Sequence, residues 1–275
     1  MTTDEKYQAL LARLEVLGSV LVAYSGGVDS TLLAFASHAV LGERCRAVLA
    51  SSDTYPEREA IAARKLASDL GFRFLEVETS ELADPRFSAN RPDRCYHCKA
   101  ELFGLLVKVA EVEGLDHVAD GANADDRSDH RPGRRAGAEY GVVSPLAEAG
   151  LTKIEIRELA RELGLPNWDK PSMACLASRF PYGEAITDAG LARVSEAEDA
   201  LLGLGLSQFR VRAHGTIARV EVSPEELDAA WALRSLIAAA VKAAGFSYAS
   251  IDLDGYRSGS MNEVLADGER ETAQA

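Results

Sequence analysis

The sequence predicts an α/β protein, with a parallel-sheet domain followed by a smaller α+β domain. In the first half of the 275 residues, short apolar runs alternate with helical patterns, as βαβ units require. After Tyr182 the order of elements changes to α-β-β-α-β. We therefore expect a main domain over 1–182, a small domain for substrate binding or oligomerisation over 183–262, and a disordered tail over 263–275.

Four strands and the helices around them make up the expected main domain. The strands are predicted over 19–24, 46–51, 72–78 and 117–119, and the helices over 30–41, 57–70, 96–112 and 152–163. Thr152, with Glu155 three residues later, predicts a capping box for the last of these helices. The polar stretch 122–141 is either a mobile active-site loop or a solvated surface loop. It contains Arg127, Arg131, Arg134 and Arg135.

The expected small domain has a helix over 188–202 and two strands over 209–213 and 217–222. Ser223 is then predicted to cap one long Ala-rich helix that ends near 244, and a last strand follows over 248–253.

Composition and charge exclude several classes of protein. Hydrophobic residues make up 47% and charged residues 27%, the balance of an ordinary globular chain. The net charge of −13 argues against a nucleic-acid partner. Because no run approaches the ~20 apolar residues of a membrane span and the N-terminus lacks the layout of a signal peptide, we expect a cytoplasmic protein with no membrane partner. In that reducing compartment the four cysteines predict core residues, metal ligands or reactive groups.

The strongest functional signal is the turn Ser-Gly-Gly-Val-Asp-Ser at 25–30, between the first strand and the first helix. Gly26 and Gly27 let the backbone turn tightly and approach a ligand, and the helix N-terminus adds partial positive charge. Such a turn predicts phosphate binding, whereas no Lys follows it as in a Walker A loop. A βα turn without a ligand is the alternative.

Polar residues also follow the fourth strand. Asn123, Asp125 and Asp126 lie where a parallel sheet binds its ligands. These side chains suit Mg²⁺ or a ribose hydroxyl, although an ordinary turn has the same composition.

Three cysteines suggest a metal site or a reactive thiol. Cys95 and Cys98 form a Cys-x-x-Cys pair at a predicted helix start, and Cys175 lies far along the chain. Three thiolates would hold zinc, with His97 as a fourth ligand, or a [4Fe–4S] cluster with one iron left open. A redox dithiol and inert buried cysteines are the alternatives. Near Arg179, Cys175 is either a nucleophile or a core residue, and Cys45 is predicted to be structural.

The chain resembles a known family. The turn 25–30 is similar to the SGGxDS signature of the PP-loop superfamily, which includes asparagine, GMP and NAD synthetases and tRNA-thiolating enzymes. Segments 168–183, 209–221 and 255–260 resemble, in order, those of the LarE family, the ATP-dependent sulfur transferases of nickel-pincer cofactor synthesis. The resemblance runs from about position 21 to 262.

This resemblance implies an adenine nucleotide alpha hydrolase-like PP-loop domain that uses ATP and Mg²⁺ and releases pyrophosphate. The substrate would be a pyridinium dicarboxylate mononucleotide, and the assembly a homo-oligomer such as a hexamer. The residues implied for ATP and pyrophosphate are Ser25, Gly26, Gly27, Asp29, Ser30 and Asn123. Those implied for Mg²⁺ are Asp29, Asp125 and Asp126. Those implied for catalysis are Cys175, Asp29, Ser30 and Arg179.

The implied chemistry begins with adenylation of a substrate carboxylate. Cys175 would then attack to give a thioester, and cleavage of its Cβ–S bond would leave a thiocarboxylate and dehydroalanine. Arg210 and Arg212, two residues apart on one strand, would face the same side and clamp the substrate phosphate, unless that side is a solvated strand face. Glu221 would orient this pair, and Arg257 is a further candidate for the phosphate.

Family members that carry the additional Cys-x-x-Cys hold a [4Fe–4S] cluster that carries exogenous sulfide. The resemblance therefore implies Cys95, Cys98 and Cys175 as cluster ligands, and the sulfur then comes either from Cys175 itself or from a sulfide on the cluster.

Three other functions remain at this point. A cluster-dependent tRNA thiolase is disfavoured by the acidic charge, and an amide-forming ligase by the lack of a visible glutaminase module. A non-catalytic adenine-nucleotide sensor is disfavoured by Asp29, Cys175 and the arginine pair.

Overall fold

The computed structural model describes residues 1–127, 132–171, 173–257 and 260–264. The chain divides into two compact units. The first contains Met1–Glu81 and Cys95–Met173, and the second contains Leu82–Arg94 and the described residues from Ala174 onward. The chain therefore passes between units more than once, whereas the sequence predicted a single boundary at 182/183. The predicted tail lies outside the described residues from position 265.

Helices and strands alternate along the first unit. The strands in the described part of both units are β1 (Val20–Tyr24), β2 (Cys45–Ser51), β3 (Phe74–Glu78), β4 (His117–Ala119), β5 (Phe209–His214), β6 (Ile217–Val222) and β7 (Tyr248–Ile251). The helices are α1 (Thr3–Leu17), α2 (Val28–Leu41), α3 (Glu57–Asp69), α4 (Pro85–Ser88), α5 (Arg94–Glu113), α6 (Pro132–Glu139), α7 (Pro145–Glu148), α8 (Lys153–Glu162), α9 (Asp188–Gly203), α10 (Leu227–Ala232) and α11 (Arg234–Ala243).

The first unit is built on a parallel sheet with strand order β3-β2-β1-β4. Alternate residues of β1 face opposite sides of this sheet. Val20 and Val22 belong to one apolar core with residues of α1, α2, α3 and α8, and Leu21 belongs to a second core with residues of α5 and α6. The sheet is therefore covered on both faces, which confirms the predicted α/β architecture of this unit.

The second unit contains a three-stranded sheet with order β5-β6-β7. β5 and β6 are antiparallel, and β6 and β7 are parallel. Helices α9 and α11 contact this sheet and each other, and bury Val194, Val211 and Val241.

Asn90 explains why Leu82–Arg94 belongs to the second unit. Its side chain is fully buried, and its Nδ2 donates hydrogen bonds to the carbonyls of Phe180, Pro181 and Glu184 at 3.2, 2.7 and 3.0 Å. Its φ of 54° is the left-handed conformation that Asn tolerates better than most residues. This long-range contact has no signature in the local sequence.

Two predicted elements were wrong. The Ala-rich segment is not one helix, because it consists of a 3₁₀ turn (Pro224–Glu226), α10 and α11, with a break at Leu233 (φ −87°, ψ 3°). Ser223 makes no capping hydrogen bond there. The stretch 122–141 is not a continuous loop, because it contains α6, whose Ala136 is buried in the second core.

Two capping boxes start helices in the first unit. The predicted Thr152–Glu155 box is confirmed at α8, and Thr2 with Glu5 forms another at α1. Among the described residues, no helix combines the length and the apolar character needed to span a membrane.

Candidate active site

The turn after β1 has a backbone that only glycine fits. Gly26 has φ 62°, and a Cβ at that position would lie 2.7 Å from the Cβ of Ala63 in α3. Gly27 then precedes α2 as its N-cap, so the first amides of that helix border the turn. The sequence therefore predicts the shape of this turn correctly, and the close approach of α3 adds a packing reason for Gly26.

Ser25 and Ser30 tie the turn together. The Oγ of Ser30 accepts a hydrogen bond from the Ser25 amide at 3.2 Å and donates one to the Gly27 carbonyl at 3.1 Å. The two hydroxyl oxygens also lie 3.2 Å apart. The two serines that were predicted to bind the nucleotide therefore lie side by side, although they stand at opposite ends of the turn in sequence.

Asp29 has one occupied and one open oxygen. Its Oδ2 accepts hydrogen bonds from Lys153 Nζ at 2.6 Å and from Asn123 Nδ2 at 3.4 Å. Its Oδ1 is buried and has no hydrogen-bond partner among the described residues. A carboxylate oxygen left open beside a phosphate-binding turn suits Mg²⁺, so Asp29 fits the metal that was predicted for it.

Asn123, Asp125 and Asp126 lie together at the carboxyl end of β4. Asn123 Oδ1 accepts from the amides of Asp125 and Asp126, and Asp126 Oδ2 accepts from the Asn123 amide. Asp125 Oδ2 accepts from the amide of Lys153, the first residue of α8. The two carboxylates are thus engaged by backbone amides that shape this turn, and their role toward Mg²⁺ stays a prediction.

Residues that the sequence did not single out also hold the turn. Asn167 Nδ2 and Lys170 Nζ donate to the Gly26 carbonyl at 3.1 and 3.3 Å, and Tyr55 Oη donates to the Ser25 carbonyl at 2.7 Å. Asn167 Nδ2 also donates to Thr31 Oγ1 at 3.0 Å. Because some of these residues are more than 130 positions from the turn in sequence, no local pattern could have indicated them.

The four cysteines have different environments. Cys95 is exposed and Cys98 is half-buried, both in the first turn of α5 in the first unit, and Cys175 is exposed in the second unit. Cys45 is buried, and burial raises the pKa of its thiol to about 12. Within the described ranges, no three His, Cys, Asp or Glu side chains are grouped so as to hold a metal ion. The [4Fe–4S] cluster therefore stays a prediction.

The segment after Cys175 is held by a buried arginine. Arg179 is fully buried, and its Nη1 donates to the carbonyls of Ala174 and Cys175 at 2.8 and 3.1 Å. Its Nε and Nη2 donate to the two oxygens of Glu198 at 2.8 and 3.0 Å. The predicted catalytic Arg179 thus lies inside the second unit, where it positions the backbone that carries Cys175.

Arg210 and Arg212 lie on the same face of β5, and each is only 7% exposed. Arg212 donates to Glu221 Oε2 through Nε and Nη2 at 3.0 and 2.8 Å, and to the Ser178 carbonyl at 2.7 Å. Burial, reinforced by the charge of Arg179, lowers the pKa of Arg210, whose Cζ lies 4.9 Å from the ring centroid of Tyr256. The face is not a solvated one, and Glu221 orients Arg212. Its expected role toward Arg210, and the binding of phosphate by the pair, stay predictions.

The remaining predicted residues have other partners or lie outside the described residues. Arg257 is 39% exposed and pairs with Asp254 and Glu263 at 3.2 and 3.0 Å. Arg131 and the side chain of Arg127 are not among the described residues. Arg134 and Arg135 lie on α6, where Arg135 stacks 4.1 Å from the ring centroid of Tyr96.

The chain is similar to proteins from several microorganisms, although no protein-family model matches it. An uncharacterized protein of Synechocystis is 44% identical over 264 residues, 95% of this chain and 98% of that protein. The pyridinium-3,5-bisthiocarboxylic acid mononucleotide synthase of Lactiplantibacillus plantarum is 37% identical over 265 residues, 96% of both. One component of the glutamine-hydrolyzing GMP synthase of Archaeoglobus fulgidus is 28% identical over 160 residues, 54% of this chain and 52% of that protein.

Proposed function

The chain belongs to the LarE family of sulfur transferases, and we propose that it converts the carboxylates of pyridinium-3,5-dicarboxylate mononucleotide into thiocarboxylates for a nickel-pincer cofactor. It is an enzyme that depends on ATP. The observation that carries this proposal is the 37% identity, over 96% of both chains, to a synthase named for the bisthiocarboxylic acid product.

The first unit supplies the adenylation step. The turn at Gly26 and Gly27 is shaped for phosphate, because its backbone can approach the ligand and the N-terminus of α2 adds partial positive charge. An oxygen of the substrate carboxylate attacks the α-phosphorus of ATP, the bond to the bridging oxygen of the β-phosphate breaks, and pyrophosphate leaves. The product is an acyl-adenylate with AMP as its next leaving group.

Asp29 and Lys153 control charge around the departing pyrophosphate. The buried Oδ1 of Asp29 would take Mg²⁺, which neutralises phosphate charge in reactions of this type. Lys153, 2.6 Å from the other oxygen, orients the carboxylate and adds a positive charge beside the turn. Asn123 holds Asp29 from the β4 side.

The second unit carries Cys175, one of the cysteines of the sulfur step. A sulfur nucleophile attacks the acyl carbon, AMP leaves, and the carboxylate oxygen has been replaced by sulfur. Cys175 is exposed, while the Arg179–Glu198 pair fixes the backbone around it. Two routes supply the sulfur: the thiolate of Cys175 itself, which leaves dehydroalanine, or a sulfide.

We favour the sulfide route because the chain has three candidate thiolate ligands, Cys95, Cys98 and Cys175. A [4Fe–4S] cluster can be held by three cysteines, whereas structural zinc usually takes four protein ligands. When bound, such a cluster would carry the sulfide to be transferred. Cys175 is then a ligand that is not consumed. We also propose a homo-oligomer as the working form.

A coupled assay of pyrophosphate release tests the adenylation. The full chain is given MgATP with pyridinium-3,5-dicarboxylate mononucleotide, with xanthosine monophosphate plus ammonia, or with ATP alone. The proposal predicts pyrophosphate release with the pyridinium substrate only. Release with xanthosine monophosphate would instead assign a purine-aminating reaction, like that of a GMP synthase.

A further inference from the structure

Arg94 is a buried guanidinium whose partners among the described residues carry no charge. The residue is 3% exposed and lies in the second unit, at the start of α5. Its Nη1 donates to Asn90 Oδ1 at 2.6 Å, its Nη2 lies 3.9 Å from Met261 Sδ, and its Cζ lies 4.9 Å from the ring centroid of Tyr182. Its Nε is buried and has no hydrogen-bond partner among the described residues.

Such an environment is costly for a permanent cation. A guanidinium stays protonated in proteins, so it cannot relieve burial by losing its charge. Buried arginines are therefore usually held by carboxylates, as Arg179 is by Glu198. A thioether is only a weak acceptor, and neither the amide of Asn90 nor the ring of Tyr182 supplies a negative charge.

The buried charges of the second unit are unbalanced as a group. Among its described residues that are buried, four are arginines and two are glutamates, an excess of two positive charges. They are Arg94, Arg179, Arg210, Arg212, Glu198 and Glu221. Glu221 is moreover shared, because its Oε1 accepts from the half-exposed Arg219 while its Oε2 accepts from Arg212. A phosphate monoester carries about −1.5 to −2 charges at neutral pH, which matches this excess.

Arg94 and Arg212 converge on adjacent residues. Arg212 Nη2 donates to Ser260 Oγ at 3.1 Å, and the next residue, Met261, provides the sulfur beside Arg94 Nη2. Both guanidinium groups also hold the segment that follows Cys175. Arg212 binds the Ser178 carbonyl, and Arg94 acts through Asn90, which binds the Phe180 carbonyl. The two cations thus contact two consecutive residues, whose hydroxyl and thioether accept hydrogen bonds from them.

We propose that Arg94 is a third phosphate-binding arginine of the second unit, which binds the phosphate of the mononucleotide together with Arg212. Phosphate oxygens replace Ser260 Oγ as an acceptor for Arg212 and Met261 Sδ as the acceptor for Arg94 Nη2, and Arg94 Nε gains an acceptor. This assignment rests on the proposed function for the identity of the molecule that carries the phosphate. The excess of buried positive charge by itself points to an anionic group with the charge of a phosphate monoester.

Calorimetric titration of the full chain with two probes tests the inference. The probes are pyridinium-3,5-dicarboxylate mononucleotide and the corresponding nucleoside, which keeps both carboxylates and lacks the phosphate. We expect Arg94→Gln to weaken mononucleotide binding by about 10- to 100-fold and to leave nucleoside binding unchanged. Arg94→Lys, which keeps the charge, should recover part of the affinity.

Arg234→Gln is the matched control. Arg234 also stacks on an aromatic ring, 5.3 Å from the centroid of Trp231, and donates to a carbonyl at 3.0 Å, but it is exposed. This variant removes the same charge and should bind the mononucleotide as the wild type does.

A thermal unfolding series separates a binding role from a purely structural one. Since Arg94→Gln removes a buried cation that has no counter-charge in the described part of the chain, the ligand-free variant should unfold at the wild-type temperature or above it. It should also lose the stabilisation that inorganic phosphate gives the wild type. A variant that is less stable without ligand but keeps the full phosphate shift would overturn the inference. So would equal weakening for the nucleoside and the mononucleotide. Absence of pyrophosphate release by the wild type would instead contradict the proposed function.

Discussion

Arg179 and Glu198 form an ion pair with two hydrogen bonds, 2.8 and 3.0 Å long, and their side chains are only 0% and 2% exposed. The same guanidinium donates to the carbonyls of Ala174 and Cys175. A buried ion pair therefore fixes the backbone on which the exposed Cys175 is presented.

Replacement of Glu198 by Gln should destabilise the second unit strongly. The substitution leaves Arg179 buried without its counter-charge, which costs about 3–5 kcal/mol in comparable pairs. Glu148→Gln is the control, since Glu148 pairs with Arg13 at 2.6 Å but both side chains are more than a third exposed. That change should cost less than about 1 kcal/mol. The measurement is the free energy of unfolding in urea, and equal losses for both variants would contradict the assignment.

The stability difference between the wild type and Glu198→Gln should depend on pH in one direction only. Burial raises the pKa of Glu198, but the charge and hydrogen bonds of Arg179 and the Val211 amide outweigh burial and leave the pKa below its ordinary value of 4.5. The carboxylate therefore contributes stability above pH 4.5, and this contribution is lost as the pH falls through the folded-state pKa. The stability gap between wild type and Glu198→Gln should stay constant near neutral pH and shrink in acid. A gap that grows in acid would exclude this ion pair as its cause.

Gly26→Ala should disable ATP binding. The added Cβ would meet Ala63 at 2.7 Å while the backbone keeps φ 62°, so the turn must shift. Gly71→Ala is the control, because its φ of 69° is similar and no atom lies within 4 Å of the added Cβ. Both variants carry a backbone cost of about 1–2 kcal/mol, but only Gly26→Ala should abolish nucleotide binding in a titration. Wild-type ATP affinity in Gly26→Ala would mean that the turn does not hold the phosphates.

Asp29→Asn should abolish pyrophosphate release while the protein stays folded. The amide retains the size of the side chain but loses the charge that faces Lys153 and would attract Mg²⁺. Asp69→Asn removes a carboxylate from an exposed ion pair with Lys65 of the same 2.6 Å length, and should leave the rate unchanged. The coupled pyrophosphate assay decides, and a wild-type rate in Asp29→Asn would exclude Asp29 from the reaction.

Alkylation should distinguish the buried Cys45 from the exposed Cys175. Cys45 is 2% exposed and burial raises its pKa to about 12, so the reactive thiolate is scarce there. In iron-free folded protein at neutral pH, iodoacetamide should modify Cys175 and leave Cys45 intact until the chain is unfolded. Peptide mass spectrometry measures both sites. Early modification of Cys45 would show that its environment is not the one described.

Much of the first unit can be predicted from the sequence, because the patterns that specify its elements involve residues close together in the chain. The apolar runs predict β1 to β4, Thr152 and Glu155 predict the start of α8, and the paired glycines predict the turn. The break at Leu233 was missed because both halves of that segment are rich in helix-forming alanine, and α6 was missed because its helical pattern is short and polar.

Contacts between distant segments could not be predicted. The period of two on β5 indicates that Arg210 and Arg212 share a face, but it does not indicate that this face is buried against Ser178. Likewise, Arg94 looked like any charged residue at a helix start, and its enclosure depends on Asn90, Tyr182 and Met261. Tertiary packing, and not local propensity, decides where these charges lie.

The most direct test of the sulfur-transfer assignment is the mass of product and enzyme after one reaction. Anaerobically purified protein is incubated with MgATP, pyridinium-3,5-dicarboxylate mononucleotide and isotopically labelled sulfide. The product and the enzyme are then analysed by mass spectrometry. We predict labelled thiocarboxylate in the product, AMP and pyrophosphate in equal amounts, and a Cys175 that keeps its sulfur. Unlabelled thiocarboxylate together with dehydroalanine at position 175 would show that Cys175 is consumed. A mononucleotide that is returned without sulfur, although ATP has been cleaved, would contradict sulfur transfer itself.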